Sequence, residues 1–398
     1  MISINEETDS LGINRTSFRT ADRPTESIPF NGRRHMKFSR REFLAAGGAA
    51  SSLALVGGCS GRGMSEYDAA VSALRAPLPV EPQLMDLVRY ATLAPNSHNT
   101  QPWKFRLGSD AVDILPDLSR NCPVVDPDDH HVFVTLGCAA ENLLIAGRAR
   151  GRPGEANINL DGKTTSINVA LRQGAASDRE LLDAIARRQS TRSSYDGQPL
   201  SLHELRLLEQ AASMPGVETL FLTDRARMDG VLDYVIEGNS VQCDDPAFVQ
   251  ELKDWIRFNP DAALETHDGL FTACSDNPTS PSWLGSLMFD QFFSKDSENE
   301  KYAGHMNSSA GVVVFVAERD DEEGWINVGR SFQRFALQAT VLGVRHAHLN
   351  MPIEVAEIRP EFANWLGIPG KRPDLVIRFG KARALPMSLR RPVSEVLV

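Results

Sequence analysis

The chain has 398 residues, 42% hydrophobic and 24% charged, enough to bury a large core in one or two domains. Its formal charge of −10 excludes a broad nucleic-acid-binding surface but leaves room for a local phosphate site. The five cysteines show no Cys-x-x-Cys spacing, which argues against a zinc ribbon or a thioredoxin-type dithiol and for packed free thiols.

Residues 1–35 are polar and aperiodic and read as a disordered extension, or as sequence ahead of a start at Met36. "SRREFLAAGGAASSLALVGGCSG" follows, with Arg40-Arg41 ahead of Phe43-Leu44 and a weakly apolar run ending at Cys59. It resembles a twin-arginine export signal closed by a lipoprotein-type box. The expectation is a periplasmic or membrane-anchored protein whose only membrane contact is a lipid at Cys59; cleavage there without acylation stays open. Two glycine pairs make this stretch a poor buried helix or membrane span.

Residues 60–79 read as a linker. "EPQLMDLVRYATLAP" then places Leu84, Leu87, Val88 and Ala91 on one helical face. "WKFRLGSDAVDIL" reads as a hairpin turning at Gly108-Ser109. Asp126 to His131 precede the apolar helix "VFVTLGCAAENLLIAGRARG", and "ANINLDGKTTSINVAL" is a second hairpin turning at Asp161-Gly162. Ser177 with Glu180, and Ser201 with Glu204, are spaced as capping boxes for two further helices.

An internal repeat emerges. "YATLAP", ending at Pro95, resembles "QAASMP", ending at Pro215; "GCAAENLLIAGRARG" from Gly137 matches "GRSFQRFALQATVLG" from Gly329 in length and apolar phase. The second copy carries 72 additional residues, assigned to about 240–305. Where the first copy has "NSHNTQPWKF", the second has "GVETLFLT", so one polar array survives of two.

Arg188, Ser190 and Arg192 alternate guanidinium and hydroxyl groups after a helix, a pattern suited to a phosphate dianion. Taken alone it reads more readily as a solvated basic face. Arg390-Arg391 near the C-terminus is similarly weak by itself. Together with the polar array, these groups describe a ligand with a phosphate at one end and a hydrogen-bonding plane at the other.

"LAPNSHNTQPWKF", "RRQSTRSSYDGQPLS" and "LGIPGKRPDLVIRFGKARALPMSLRRPVSEV" resemble the nitroreductase superfamily of FMN-binding proteins over about residues 80–398. The resemblance is to a single-chain branch in which two fused halves imitate the usual homodimer. It implies an α/β, α+β-type three-layer sandwich with an internal pseudo-dimer, its halves at 80–180 and 181–398. It implies that Arg188, Ser190 and Arg192 hold the FMN phosphate, with Arg390 or Arg391 adding charge. Pro95, Asn96, Ser97, Asn99 and Gln101 would meet the ring and ribityl chain, and Asn350 would approach from the turn His348-Leu349-Asn350. Asn96 stands where the family usually has serine. Fixed amides and hydroxyls would stabilise charge on the reduced ring without any protein acid or base, since the flavin carries the hydride. Trp103 reads as a core anchor.

The implied activity is flavin-mediated hydride or electron transfer, with NAD(P)H or another donor and an unknown acceptor. The alternative is a catalytically silent store of FMN, with the insertion ("ELKDWIRFNPDAALETHDGL") as its lid. "DPDDHH" (Asp126, Asp128, Asp129, His130, His131) holds metal-ligand residue types, but side chains in an extended loop diverge and Asp-rich connections usually cap helices, so no metal is expected. His346 and His348 share a strand face without a third ligand.

Overall fold

Apolar periodicity switches between helix and strand along the chain, and the computed structural model, which describes residues 63–160 and 164–398, follows those switches. The export-type segment through Cys59 and the tip of the Asp161-Gly162 turn lie outside the described residues. The first half runs α1 (Met64–Leu74), α2 (Leu84–Ala91), β1 (Trp103–Leu107), β2 (Ala111–Pro116), α3 (His130–Ala149), β3 (Gly154–Asn159), β4 (Ser166–Leu171) and α4 (Arg179–Arg187). Next come α5 (Leu202–Ala212), β5 (Val217–Leu222), α6 (Arg225–Asp244), α7 (Pro246–Asp254), β6 (Ile256–Arg257), α8 (Pro260–Thr266), β7 (Leu270–Phe271), α9 (Ser282–Phe292) and α10 (Lys295–Asn307). The chain closes with β8 (Gly311–Ala317), α11 (Glu322–Val341), β9 (Val344–His348), α12 (Met351–Glu354), α13 (Arg359–Leu366), β10 (Pro373–Lys381) and α14 (Val393–Val396).

Two four-stranded antiparallel sheets result, ordered β1-β2-β4-β3 and β5-β8-β10-β9. Counted within its own sheet, each runs first, second, fourth and third strand in chain order, so the sequence repeat is a repeat of topology. Helices α3 and α11 lie between the sheets, each packed on its own sheet and on the other helix. Their crossing is set by two glycines. A Cβ on Gly137 would stand 2.0 Å from the Ile326 carbonyl oxygen, and one on Gly329 would stand 1.9 Å from that of Val134. These are the first residues of the two matched segments, and only glycine lets both backbones approach this closely. The last residues, Gly151 and Gly343, take left-handed conformations at φ 71° and 70°. Although α3 is apolar and long enough to cross a membrane, it is buried in this core.

Both halves share one apolar cluster, from Trp103 and Phe105 through Leu143 to Phe332, Phe335 and Phe379. The second sheet is also covered on its far side, where Val312, Val314, Val316 and Val376 pack with Met228, Val231 and Phe362. That explains the unbroken apolar strand "GVVVFVA", as expected for a sheet buried on both faces. The covering helix α6 belongs to the long connection between β5 and β8. In the first half, the same connection is the short turn after Leu107, closed by the Gly108 amide donating to the Ala111 carbonyl.

Two local expectations change. The 60–79 stretch is not all linker: α1 buries Tyr67 against Leu264, Phe271 and Leu389. The Ser177/Glu180 box does not form, because Asp178 occupies the cap in a left-handed conformation and pairs with Arg148 at 2.8 Å. The Ser201/Glu204 box does form. Cys122, Cys138, Cys243 and Cys274 are free thiols.

Candidate functional site

The helix α4 ends at Arg187, and the chain then runs beside β9, bridging Ser190 to His346, with the Thr191 amide donating to the His346 carbonyl at 2.9 Å. This fixes the alternation of the next side chains. Arg188 is buried; its Nη2 donates to the Leu93 carbonyl at 3.2 Å, while Nε and Nη1 have no partner among the described residues. Arg192 has no hydrogen-bond or ion-pair partner among them. Arg75 lies nearby, donating to the Ala186 and Ser388 carbonyls and leaving Nε unpaired. Burial, with Arg75 beside it, lowers the Arg188 guanidinium to about 10, so it remains charged at neutral pH. Burying a cation without a carboxylate is costly, and it leaves charged donors that an anion could satisfy.

The polar loop lies against this cradle. Arg390 donates to the Thr92 and Ala94 carbonyls, either side of the Leu93 carbonyl that Arg188 uses, and to Asn99 Oδ1 at 2.8 Å. Guanidiniums from beyond residue 187 and amides from residues 96–101 therefore meet at the end of α2. The loop is strained: His98, Asn99 and Gln101 have φ of 47°, 57° and 59°. Non-glycine residues hold such angles only when surroundings over-determine them.

Those surroundings are the loop's own amides. Asn96 Oδ1 accepts from the Gln101 amide at 2.8 Å. Asn99 Nδ2 donates to the carbonyls of Gly269 and Leu389, and Gln101 Nε2 to that of His267 at 2.8 Å. Gln101 Oε1 accepts from the Arg391 amide. Asn99 and Gln101 thus staple the loop to the inserted segment and to the C-terminal tail, and Asn96 braces the loop internally, where all three had been expected to face a ligand. Asp268 strengthens this docking through Arg120 and Arg257.

Arg390 also differs from expectation. Its guanidinium donates only to oxygens of residues 92–99 and 388–389, so it positions the loop and has little left for a phosphate. Arg391 turns toward Glu395, with Nη1 unpaired. Pro95 is buried at the base of the loop. The Asn350 carboxamide oxygen accepts from the Val376 amide at 3.0 Å, which ties the turn after β9 to β10. Its Nδ2, like the hydroxyls of Ser97 and Ser190, has no partner among the described residues.

Several groups here carried no sequence motif. His98, His348 and Tyr302 retain partial exposure, as does Arg192. Yet burial lowers His98 to about 4 and His348 to about 3, and raises the Tyr302 hydroxyl. Arg192 adds to the lowering at both histidines, so a cation with neutral imidazoles beside it marks this part of the molecule. Cys274 of the inserted segment lies near Arg192 as well, bonded to the Tyr67 hydroxyl.

Two repeated four-stranded sheets around a helix pair define an α/β (α+β) fold, and its candidate site sets unneutralised guanidiniums beside a strained polar loop. No family model matches the chain. It is 23% identical over 337 residues to the Mycobacterium tuberculosis protein named "Putative NAD(P)H nitroreductase Rv3131", covering 82% of this chain and 94% of that one. With "Putative NAD(P)H nitroreductase acg" of the same organism it shares 22% over 326 residues, 78% of this chain and 93% of the relative. Among solved structures, a "putative nitroreductase" from Anabaena variabilis aligns over 79% of this chain and 91% of its own, at 10% identity and TM-score 0.41. The FMN-dependent nitroreductase NfnB from Mycobacterium smegmatis, in complex with NADPH, aligns over 51% and 88%, at 13% identity and TM-score 0.34. The names of the two mycobacterial relatives, matched over most of their length, support a place in the nitroreductase superfamily.

Proposed function

We propose that this chain is an exported FMN-binding oxidoreductase of the nitroreductase superfamily, built as an internal pseudo-dimer. The observation that carries the reading is Arg188, a buried guanidinium with two unpaired nitrogens beside unpaired Arg192. A phosphate would supply the missing acceptors. Arg188 and Arg192 would hold it by charge-assisted bonds, with Ser190 adding its hydroxyl. Ser97 and the Asn350 carboxamide nitrogen are the free donors for the rest of the ligand. Asn96, Asn99, Gln101 and Arg390 act by position, fixing the strained loop. Bound FMN supplies hydride and electron transfer. The neutral His98 and His348 lie near Arg192 without adding charge.

The donor in this reading is NAD(P)H, as the relatives' names suggest, or another reductant where nicotinamides are scarce. Export through Arg40-Arg41 suits the cofactor, since the twin-arginine route carries folded proteins; Cys59 would then hold the protein to a membrane by a lipid. A specific observation favours a second reading, storage of FMN without turnover. The inserted segment is hydrogen-bonded directly to the loop at Asn99 and Gln101, as a lid would be.

The purified protein should be yellow, and Arg188→Ala with Arg192→Ala should release the flavin; unchanged flavin content refutes the phosphate assignment. Anaerobic NADPH separates the two readings: bleaching supports turnover, and a flavin that stays oxidised supports storage.

A further inference from the structure

The Asp-rich connection ahead of α3 does more than cap a helix. Because α3 begins at His130, the two adjacent histidines and Asp126 come together, with one ligand atom of each within 4.8 Å of the others, all buried. Asp126 caps the helix, both oxygens accepting from the His131 amide at 3.0 Å and Oδ2 also from the Val132 amide at 3.2 Å, which leaves a lone pair on Oδ1.

We propose that Asp126, His130 and His131 form a buried site for one divalent transition metal of zinc type, with Asp374 and Glu354 as its outer carboxylates. His130 Nε2 lies 2.9 Å from Asp374 Oδ1, and His131 Nε2 lies 3.3 Å from Glu354 Oε1. A histidine that gives its Nε2 proton to a carboxylate keeps its lone pair on Nδ1, the arrangement found behind metal-bound imidazoles. Here both Nδ1 atoms face each other at 3.3 Å. Two lone pairs in that position repel unless a cation lies between them. Two nitrogens on one zinc at ~2.0–2.1 Å in a tetrahedron stand about 3.3 Å apart. The ligands are nitrogen and oxygen without sulfur, a set that suits zinc, cobalt or nickel. The rings of Trp325 and Phe133 close the site. A metal there would tie the start of α3 to β10 through Asp374 and to α12 through Glu354.

A proton is the competing occupant, with an imidazolium at His131 donating to His130. The test treats the full chain with a chelator, then titrates it with Co²⁺ and with Zn²⁺ alone. One equivalent of Co²⁺ should bind with tetrahedral d–d absorption to the red of any flavin band, and Zn²⁺ should displace it and raise the thermal midpoint. Asp126→Asn retains an oxygen for the cap and should abolish the cobalt band. Glu354→Gln leaves the three ligands intact and should weaken binding by about 10–100-fold. A folded, chelator-treated protein that takes up no metal overturns the proposal in favour of the proton. Metal uptake unaltered in both variants overturns it as well, placing the metal elsewhere.

Discussion

On the outward face of the first sheet, cross-strand neighbours Asp113 and Asn168 are hydrogen-bonded at 2.6 Å in a half-exposed setting. On the second sheet, Val314 faces Val376, and both are buried in the outer cluster. Strand order is the same, yet one sheet has a solvated side and the other has none. The cause is the β5–β8 connection, which puts α6 over the second sheet and sends the segment around residues 256–270 onto the loop of the first half. One repeat therefore keeps the polar loop, while the other supplies the cations and the cover.

The shared helix crossing should give the largest effect. Gly137→Ala and Gly329→Ala each force a methyl into a carbonyl of the partner helix and should cost about 3 kcal/mol or more in urea unfolding. If only one proves costly, the two crossings are not equivalent. Asn99→Ala removes hydrogen bonds to Gly269 and Leu389 and takes one of its acceptors from Arg390, a loss of about 1–3 kcal/mol. Amide exchange should quicken most around 267–270; uniform quickening would show the docking to be inseparable from the core. Val314→Ala should cost about 2 kcal/mol, whereas Asn168→Ala should stay within about 0.5 kcal/mol. Equal costs would erase the contrast between the faces.

Acid sharpens the contrast further. Burial holds His98 at about 4, and His348 and His305 at about 3, below the value near 6.5 of an unfolded chain. Unfolding takes up those protons, so their stability is whole above about pH 6.5 and is lost as pH falls through the folded values. The slope is at most about 1.4 kcal/mol per pH unit for each histidine. Replacing His348 with Gln should flatten the curve, and an unchanged slope would show that His348 does not titrate on unfolding.

The repeat was legible because Gly137 and Gly329 open two apolar helical segments of the same length and phase. The proximity of Arg188 and Arg192 was legible because their spacing follows a helix end, whereas the absence of any carboxylate beside Arg188 among the described residues was not. The work of Asn99 and Gln101 was not, since their partners lie at 267–269 and 389–391, brought near only by the insertion and the tail. Nor was the meeting of Asp126, His130 and His131, which depends on α3 starting two residues before its first apolar side chain. Helix α1 escaped notice because its burial rests mainly on Tyr67.

Arg188→Met tests the anion cradle most directly, because it removes the charge and keeps much of the volume. The measurement pairs flavin content with the thermal midpoint of the flavin-free protein. A buried cation awaiting an anion predicts that FMN is lost while the flavin-free variant is as stable as the parent or more so. Retention of FMN at the parental ratio would contradict a phosphate held at Arg188.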